Sequence, residues 1–200
     1  IYLAIFIIYI CGVIDDKFTI SPKQKLVFIT ISSLIVYFNG FEITNIGTFF
    51  GISLNLGYLA LPFTLFAIVA FTNAVNLSDG LDGLAGSVST IILSAIFVIG
   101  YLYDDYVLMT WSAILVSIIL AFLILNWHPA KVFMGDSGSL LLGFIIAILS
   151  IKSLTYINPA AVLFLAAVPI LDTLIVFRRR IQRGRSPFEA DKNHIHHILN

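Results

Sequence analysis

The segment from residue 73 to residue 86, NAVNLSDGLDGLAG, combines two carboxylates, two carboxamides and three glycines at the end of an apolar run. Asp79 and Asp82 are three residues apart, so on a helix or a tight turn their carboxylates point the same way and repel each other unless a cation lies near them. The glycines let the backbone approach a ligand closely. This composition predicts that the segment binds a metal ion or a polar substrate. The alternative, a glycine-rich helix break packed against its neighbours, leaves the two acids unexplained.

A second acidic pair, Asp15 and Asp16, lies at the start of the segment DDKFTISPKQK, which also contains Lys25. Adjacent carboxylates point in different directions on a helix. One of them can therefore hold a metal while the other binds a lysine or accepts a proton. The alternative is a solvated helix end with acidic and basic caps.

A third polar segment, HPAKVFMGDSGS, places Asp136 between Gly135 and Ser137, just before the next apolar run. Such a turn exposes backbone N–H groups and a helix N-terminus, which favours an anion, while the carboxylate can hold Mg²⁺. As an isolated helix cap Asp136 would need no ligand. A serine nucleophile is not indicated, because the G-x-S-x-G pattern is absent.

The last polar segment, RRRIQRGRSPFEADKNHIHHIL, combines five arginines with three histidines. Arginine suits phosphate oxygens, and imidazole can donate to phosphate or to sugar hydroxyls. The arginines could equally lie against anionic lipid headgroups. Zinc is not indicated, because the H-E-x-x-H pattern is absent and no cysteine lies near the histidines.

The polar segments are separated by long apolar ones. The chain is 60 % hydrophobic and 11 % charged, its apolar residues come in long runs, and its one cysteine, Cys11, excludes an internal disulfide. Backbone groups in lipid must be satisfied within each segment, so the runs predict membrane-spanning helices. Pro62 and Pro169 predict kinks. We expect one all-α domain over residues 1–200 with about seven segments, approximately Ile1–Ile14, Leu26–Phe38, Tyr58–Ala74, Leu84–Tyr103, Val107–Trp127, Leu140–Ile151 and Ala160–Phe177.

The basic residues predict the orientation of these helices. The loops on one side contain Lys17, Lys23, Lys25, Lys131, Lys192 and all five arginines, whereas the opposite loops contain Lys152 alone. By the positive-inside rule the first set is cytoplasmic, and all four polar segments then lie on that face. Asp172, inside the last apolar run, either pairs with an arginine one to two turns on or lines the site from below.

Four motifs, DDKFTIS, NAVNLSDGLDGLAG, AKVFMGDSGSLLLG and RGRSPFEADKNHIHHIL, occur in this order over nearly the whole chain. Together they resemble the polyprenyl-phosphate N-acetylhexosamine-1-phosphate transferase family, and within it the WecA-like and TagO-like bacterial branch. The resemblance implies transfer of a sugar 1-phosphate from UDP-GlcNAc or a related UDP-sugar to undecaprenyl phosphate, with release of UMP and with Mg²⁺, or alternatively Mn²⁺, as cofactor. The products would initiate O-antigen, teichoic acid or capsule synthesis at the bacterial inner membrane.

The resemblance also implies roles for individual residues. Asp15 and Asp16 match the pair near the lipid phosphate, one of them a base, and Lys25 matches a phosphate-contacting lysine. Asp136 matches the main magnesium ligand, and Phe133 the ring that stacks near uracil. The catalytic set is Asp15, Asp16, Asp79, Asp82 and Asp136, and the metal set is Asp136, Asn76, Asp15 and Asp16. The substrate-binding set is Lys25, Asn73, Asn76, Leu77, Gly80, Phe133, Arg185, His194, His196 and His197.

Several alternatives stay open. The HIHH ending favours UDP-GlcNAc over the UDP-MurNAc-pentapeptide of the MraY branch. A CDP-alcohol phosphotransferase would need an arginine after D-G-x-x-A and two further aspartates, and DGLAGSVSTIILS has neither. A transporter would place its acids near the bilayer midplane, and only Asp172 comes close to that position. We expect membrane lipids but no nucleic acid as partners, and a homodimer is an open alternative. Family members have ten or eleven helices, so we expect helices to be missing at both ends, and Thr19 replaces an aspartate common in the family.

Overall fold

The computed structural model describes residues 1–49 and 52–182. The predicted site residues Arg185, His194, His196 and His197 lie outside these described residues. The described helices are α1 (Tyr2–Phe18), α2 (Pro22–Phe38), α3 (Ala60–Ser78), α4 (Leu84–Leu102), α5 (Tyr106–Asn126), α6 (Gly135–Ser153), α7 (Pro159–Leu165) and α8 (Ala167–Gln182). Two short strands, β1 (Asn45–Phe49) and β2 (Ile52–Asn55), and a 3-10 turn (Gly57–Leu59) separate α2 from α3.

The prediction of an all-helical polytopic membrane protein is confirmed. Each of the seven apolar segments overlaps a helix. Four helical segments, Gly57–Ser78, Leu84–Leu102, Tyr106–Asn126 and Gly135–Ser153, are long and apolar enough to cross a membrane. Helices α1 and α2 have 17 residues each.

The two prolines behave differently. Pro169 cannot donate the hydrogen bond that an α-helix would direct to the carbonyl of Leu165, and α7 ends at Leu165 before α8 begins at Ala167. The last apolar segment is therefore broken into two helices where a kink was predicted. Pro62 lies in the first turn of α3, where backbone N–H groups have no intrahelical acceptor, so it requires no kink.

The segment between α2 and α3 contains a hairpin that the sequence analysis missed. Strands β1 and β2 pair antiparallel, with Thr48 opposite Ser53. The hairpin is attached to the helices where the Ile43 N–H donates to Thr64 Oγ1 over 2.9 Å. Its strands are too short for the alternation of side chains to stand out in the sequence.

Helix α6 lies at the centre of the bundle. Twelve of its nineteen residues are buried. Leu140 and Phe144 pack in one apolar cluster with α1, α2 and α3, while Leu142 and Ile146 pack in a second cluster with α4 and α5. Contacts on both sides fix the position of α6, and with it the position of the GDSG segment at its N-terminus.

The end of the bundle opposite to the GDSG segment has its own polar cluster. Asp105 caps α5 by accepting from the N–H groups of Val107 and Leu108, both at 3.0 Å. It also accepts from Lys152 Nζ at 2.6 Å and from the Tyr156 hydroxyl at 2.9 Å. Burial opposes the charge of Asp105, but these hydrogen bonds, with that of Lys152 the largest, lower its pKa. Asp105 thus neutralises the positive charge of Lys152, the lone basic residue predicted on this side.

Candidate active site

Asp15 and Asp16, at the last turn of α1, point to different partners as the helix periodicity predicts. Asp15 points inward and is only 4 % exposed. Its carboxylate accepts from the Ile20 N–H at 2.8 Å and forms an ion pair with Lys25 of α2. The left-handed conformation of Thr19 ends α1 and turns the chain back toward this carboxylate.

Asp16 is exposed and reaches across to α6. Its Oδ1 accepts from the Asp136 N–H at 2.7 Å, and its Oδ2 accepts from the Ser137 N–H at 3.0 Å. The N-terminus of α6, predicted as an anion site, therefore holds the carboxylate of Asp16. Gly135, with φ of +67°, brings its backbone against this carboxylate: a Cβ there would lie 3.0 Å from Asp16 Oδ1.

The carboxylate of Asp136 is held by groups from two other helices. Lys25 Nζ donates to its Oδ2 over 2.9 Å, so the ammonium bridges Asp15 and Asp136. Asn76, in the last turn of α3, donates to its Oδ1. Asn76 also donates to Ser139 Oγ at 2.7 Å, which fixes the amide between two residues of α6. Helices α2 and α3 thus converge on one carboxylate of α6, and α1 is joined to it through the ion pair of Asp15 with Lys25.

Asp79 is the residue that ends α3 and belongs electrostatically to the same cluster. Burial, and after it the negative charges of Asp136 and Asp16, raise its pKa from 3.8 to about 7. The Asp79 carboxyl is therefore harder to ionise than an exposed one.

The donor chemistry of this cluster fits a magnesium ion. It consists of carboxylate and carboxamide oxygens, which are the hard ligands that Mg²⁺ prefers. No three acidic, histidine or cysteine side chains within residues 1–49 and 52–182 are already arranged around a common metal position. Magnesium commonly binds to one or two carboxylates together with substrate phosphates, so a complete protein cage is not required.

Asp82 has partners different from those of the other predicted catalytic aspartates. Its Oδ2 accepts from the Ala130 N–H at 3.1 Å and lies 3.0 Å from His128 Nδ1. The hydrogen bond from Ala130, and then the contact with His128, lower its pKa. Asp82 therefore ties the α3–α4 loop to the α5–α6 loop, and its catalytic role stays a prediction.

Asn126 makes a second connection between the same two loops. It is buried at the end of α5, accepts from the Gly83 N–H at 3.0 Å and donates to the Val132 carbonyl at 2.8 Å. The sequence motifs did not indicate a role for Asn126, His128 or Ser139. The signal that could have identified Asn126 is a carboxamide at the end of an otherwise apolar segment.

The remaining predicted side chains are less engaged with the cluster. The amide of Asn73 donates to the Val69 carbonyl one turn back along α3, at 2.8 Å. Leu77 is half-buried, Gly80 is exposed, and Phe133 is 60 % exposed in the loop before α6. Their substrate-binding roles stay predictions.

Asp172 on α8 lies against the end of α3, and both of its predicted roles stay predictions. Its Oδ2 is 3.5 Å from Ser78 Oγ, and Ser78 directly precedes Asp79. Arg178, two turns further along the helix, is exposed.

The sequence matches a known family and several curated proteins. The sequence model described as Glycosyl transferase family 4 matches residues 1–154. A Bacillus subtilis protein named "Probable undecaprenyl-phosphate N-acetylglucosaminyl 1-phosphate transferase" is 39 % identical over 97 % of this chain and 56 % of its own length. Proteins named "Undecaprenyl-phosphate alpha-N-acetylglucosaminyl 1-phosphate transferase" from Escherichia coli K12 and Yersinia pestis are 33 % and 35 % identical, each over 94 % of this chain and 54 % of their own length.

The chain thus spans about half the length of these curated relatives. The family match covers α1 to α6, and with them every residue of the carboxylate cluster. This chain belongs to glycosyl transferase family 4.

Proposed function

We propose that the protein transfers N-acetylglucosamine 1-phosphate from UDP-N-acetylglucosamine to undecaprenyl phosphate and releases UMP. The observation that carries the proposal is the convergence of Asp15, Asp16 and Asp136 with Lys25 and Asn76 at one end of an apolar helix bundle. The names of the similar proteins contain the same transferred group and the same acceptor, which supports the proposal.

The position of the cluster suits two substrates of different solubility. Helices α3 and α6 are apolar enough to lie in a bilayer, and the cluster lies where α3 ends and α6 begins. A prenyl phosphate could therefore reach it from the lipid and a nucleotide sugar from water. By the positive-inside rule we propose that this face is cytoplasmic. Because the similar proteins come from bacteria, we propose that the membrane is the bacterial inner membrane.

The main barrier to this reaction is repulsion between two anionic phosphates. The attacking phosphate is already largely ionised at neutral pH, so a general base contributes less than charge neutralisation does. Lys25, with 18 % of its side chain exposed, supplies a cation at the centre of the cluster. Asp136, with Asp15 or Asp79 nearby, would hold Mg²⁺. The ion would then neutralise charge on the diphosphate.

The other residues act on the geometry of the site. Asn76 and Ser139 keep the Asp136 carboxylate oriented, and Asp82 and Asn126 hold the loop that carries Phe133. The ring of Phe133 is exposed and therefore free to stack on a nucleobase. The role of the histidine segment, and with it the preference for UDP-GlcNAc over UDP-MurNAc-pentapeptide, stays a prediction, as does the homodimer.

The first test is a transfer assay on the complete gene product in detergent or nanodiscs, with undecaprenyl phosphate and labelled UDP-GlcNAc. We expect sugar in the lipid extract, UMP in the aqueous phase, dependence on added Mg²⁺ and inhibition by tunicamycin. UDP-MurNAc-pentapeptide is offered in parallel to decide the donor. No lipid-linked product from either donor would overturn the proposal.

The variant Asp136→Asn tests the centre of the site. Loss of this charge should lower kcat by about 10²–10³-fold or more, because the Asp136 carboxylate binds both Lys25 and Asn76 and is the proposed metal ligand. The matched control is Asp104→Asn, in the exposed turn at the other end of the bundle. Normal Mg²⁺-dependent UMP release by Asp136→Asn would refute the assignment.

A further inference from the structure

The two neighbouring acids of α1 differ in what their oxygens contact. Asp15 is buried and paired with Lys25, whereas Asp16 is exposed and directs both oxygens at backbone N–H groups of α6. Each oxygen of Asp16 accepts one of these bonds, at 2.7 Å and 3.0 Å. The arrangement is a helix cap supplied by a residue 120 positions away in the chain.

Such a cap satisfies donors that α6 cannot satisfy itself. The first N–H groups of any helix have no intrahelical acceptor, and a negative charge there also interacts favourably with the helix dipole. The residue preceding α6, Met134, provides no side-chain cap. The two bonds from Asp16 therefore order the turn that contains Asp136.

The packing around this contact leaves little freedom. A Cβ on Gly135 would lie 3.0 Å from Asp16 Oδ1 and 3.1 Å from its Oδ2, while a Cβ on Gly12 would lie 2.3 Å from Ser137 Cα. Glycine at both positions lets the backbone of α6 approach α1 closely enough for the carboxylate to reach the two N–H groups.

We propose that Asp16 is a positioning residue, which acts on the reaction through the first turn of α6 by holding Asp136 toward Lys25 and Asn76. This inference rests on the proposed function for its catalytic consequence, while the contact itself can be tested without any substrate. It assigns Asp16 a role different from the base or metal ligand that its motif implies, because its two oxygens are directed at the backbone N–H groups of Asp136 and Ser137 and order the turn between them.

Amide hydrogen exchange tests the contact directly. The N–H groups of Asp136 and Ser137 depend on Asp16 for protection, so a peptide spanning residues 134–139 should exchange at least about tenfold faster in Asp16→Ala than in the wild type. Asp104→Asn, at the other end of the bundle, should leave this peptide unchanged. Unchanged exchange in Asp16→Ala would overturn the proposal, whether or not the protein shows transferase activity.

Kinetics of two variants test the positioning role. Asp16→Asn removes one acceptor, and Gly135→Ala pushes a methyl group against the same carboxylate without removing it. Each should lower kcat by about 10- to 100-fold, with KM for the UDP-sugar within about twofold and with the shape of the pH profile kept. Gly40→Ala is the matched control, since it also has positive φ, at +88°, but its Cβ would meet no atom within 4 Å.

The double variant Asp16→Asn with Gly135→Ala decides between the possible roles. If both changes act through one contact, their effects on kcat are not additive. The kcat of the double variant should then lie within about threefold of that of the slower single variant. Multiplied effects, with an altered pH profile or Mg²⁺ requirement in Asp16→Asn alone, would instead make Asp16 a base or a metal ligand and overturn the proposal. Inactivity of the wild type would refute the proposed function and leave the exchange result standing.

Discussion

At the scale of single residues, the site is organised by Lys25. Its ammonium group contacts both Asp15 and Asp136, and it comes from a helix that carries neither. A buried carboxylate such as Asp15 is stable as an anion only with such a partner. The motifs identify the three residues, but the pairing of one lysine with two acids depends on how α1, α2 and α6 pack.

Asp79 leads to a prediction on pH. Its pKa is about 7 in the folded protein and 3.8 ordinarily, so the folded state binds more protons between these values. Stability should therefore fall as pH rises through this range and level off above it. Asp79→Asn removes the ionisable group, and we expect it to raise Tm by a few degrees at about pH 8 and by less at about pH 5.

Thermal unfolding in detergent with EDTA measures this difference. Leu81→Ala, two residues further on and 68 % exposed, serves as the control and should show no such dependence. Added Mg²⁺ should reduce the advantage of the Asn variant, since a bound cation stabilises the ionised form. A Tm difference between Asp79→Asn and the wild type that is the same at both pH values would contradict the raised pKa.

At the scale of the helices, the position of α6 decides the geometry of the site. It is buried between two apolar clusters, and its first turn lies directly against α1 at Gly12. A membrane-spanning pair of helices approaches this closely only where one of them carries a small residue. Gly12 therefore permits both the close packing of α1 on α6 and the geometry of the site.

Gly12→Ala tests this contact. The added methyl would meet backbone atoms of Asp136 and Ser137, which cannot move without displacing α6. We expect a loss of stability of about 1–3 kcal/mol and a lower kcat. Val13→Ala, at the next position of the same helix and 38 % exposed in the wild type, should cost less on both measures. Equal Tm and kcat in Gly12→Ala and the wild type would show that α1 and α6 are not in close contact.

At the scale of the whole molecule, polar residues gather at the two ends of the bundle and serve different purposes. One end contains the carboxylate cluster and the linked loops of Asp82 and Asn126. The other contains the hairpin and the Asp105 cluster, in which Lys152 is paired. Helices α1 to α6 run alternately in opposite directions, which brings the α1–α2, α3–α4 and α5–α6 loops to one end.

Labelling of single cysteines tests the orientation of these ends. In a Cys11→Ala background, which removes the single cysteine of this chain, Lys23→Cys lies at the site end and Asp104→Cys, in the exposed turn between α4 and α5, at the other. An impermeant maleimide should label Asp104→Cys in intact cells, and Lys23→Cys only after the membrane is opened. The reverse pattern would place the site outside the cytoplasm.

The class of the fold follows from the sequence, because long apolar runs have few stable forms other than helices in a membrane, and the motifs indicate the acidic residues of the site. The sequence does not indicate the hairpin, whose strands are short, or the buried Asn126 and Ser139, whose partners are distant in the chain. The different partners of Asp15 and Asp16, and of Asp82 and Asp79, appear only when the helices are packed. Carboxylates of the same kind take different roles according to the donors that packing brings to them, and those donors are set by contacts between helices.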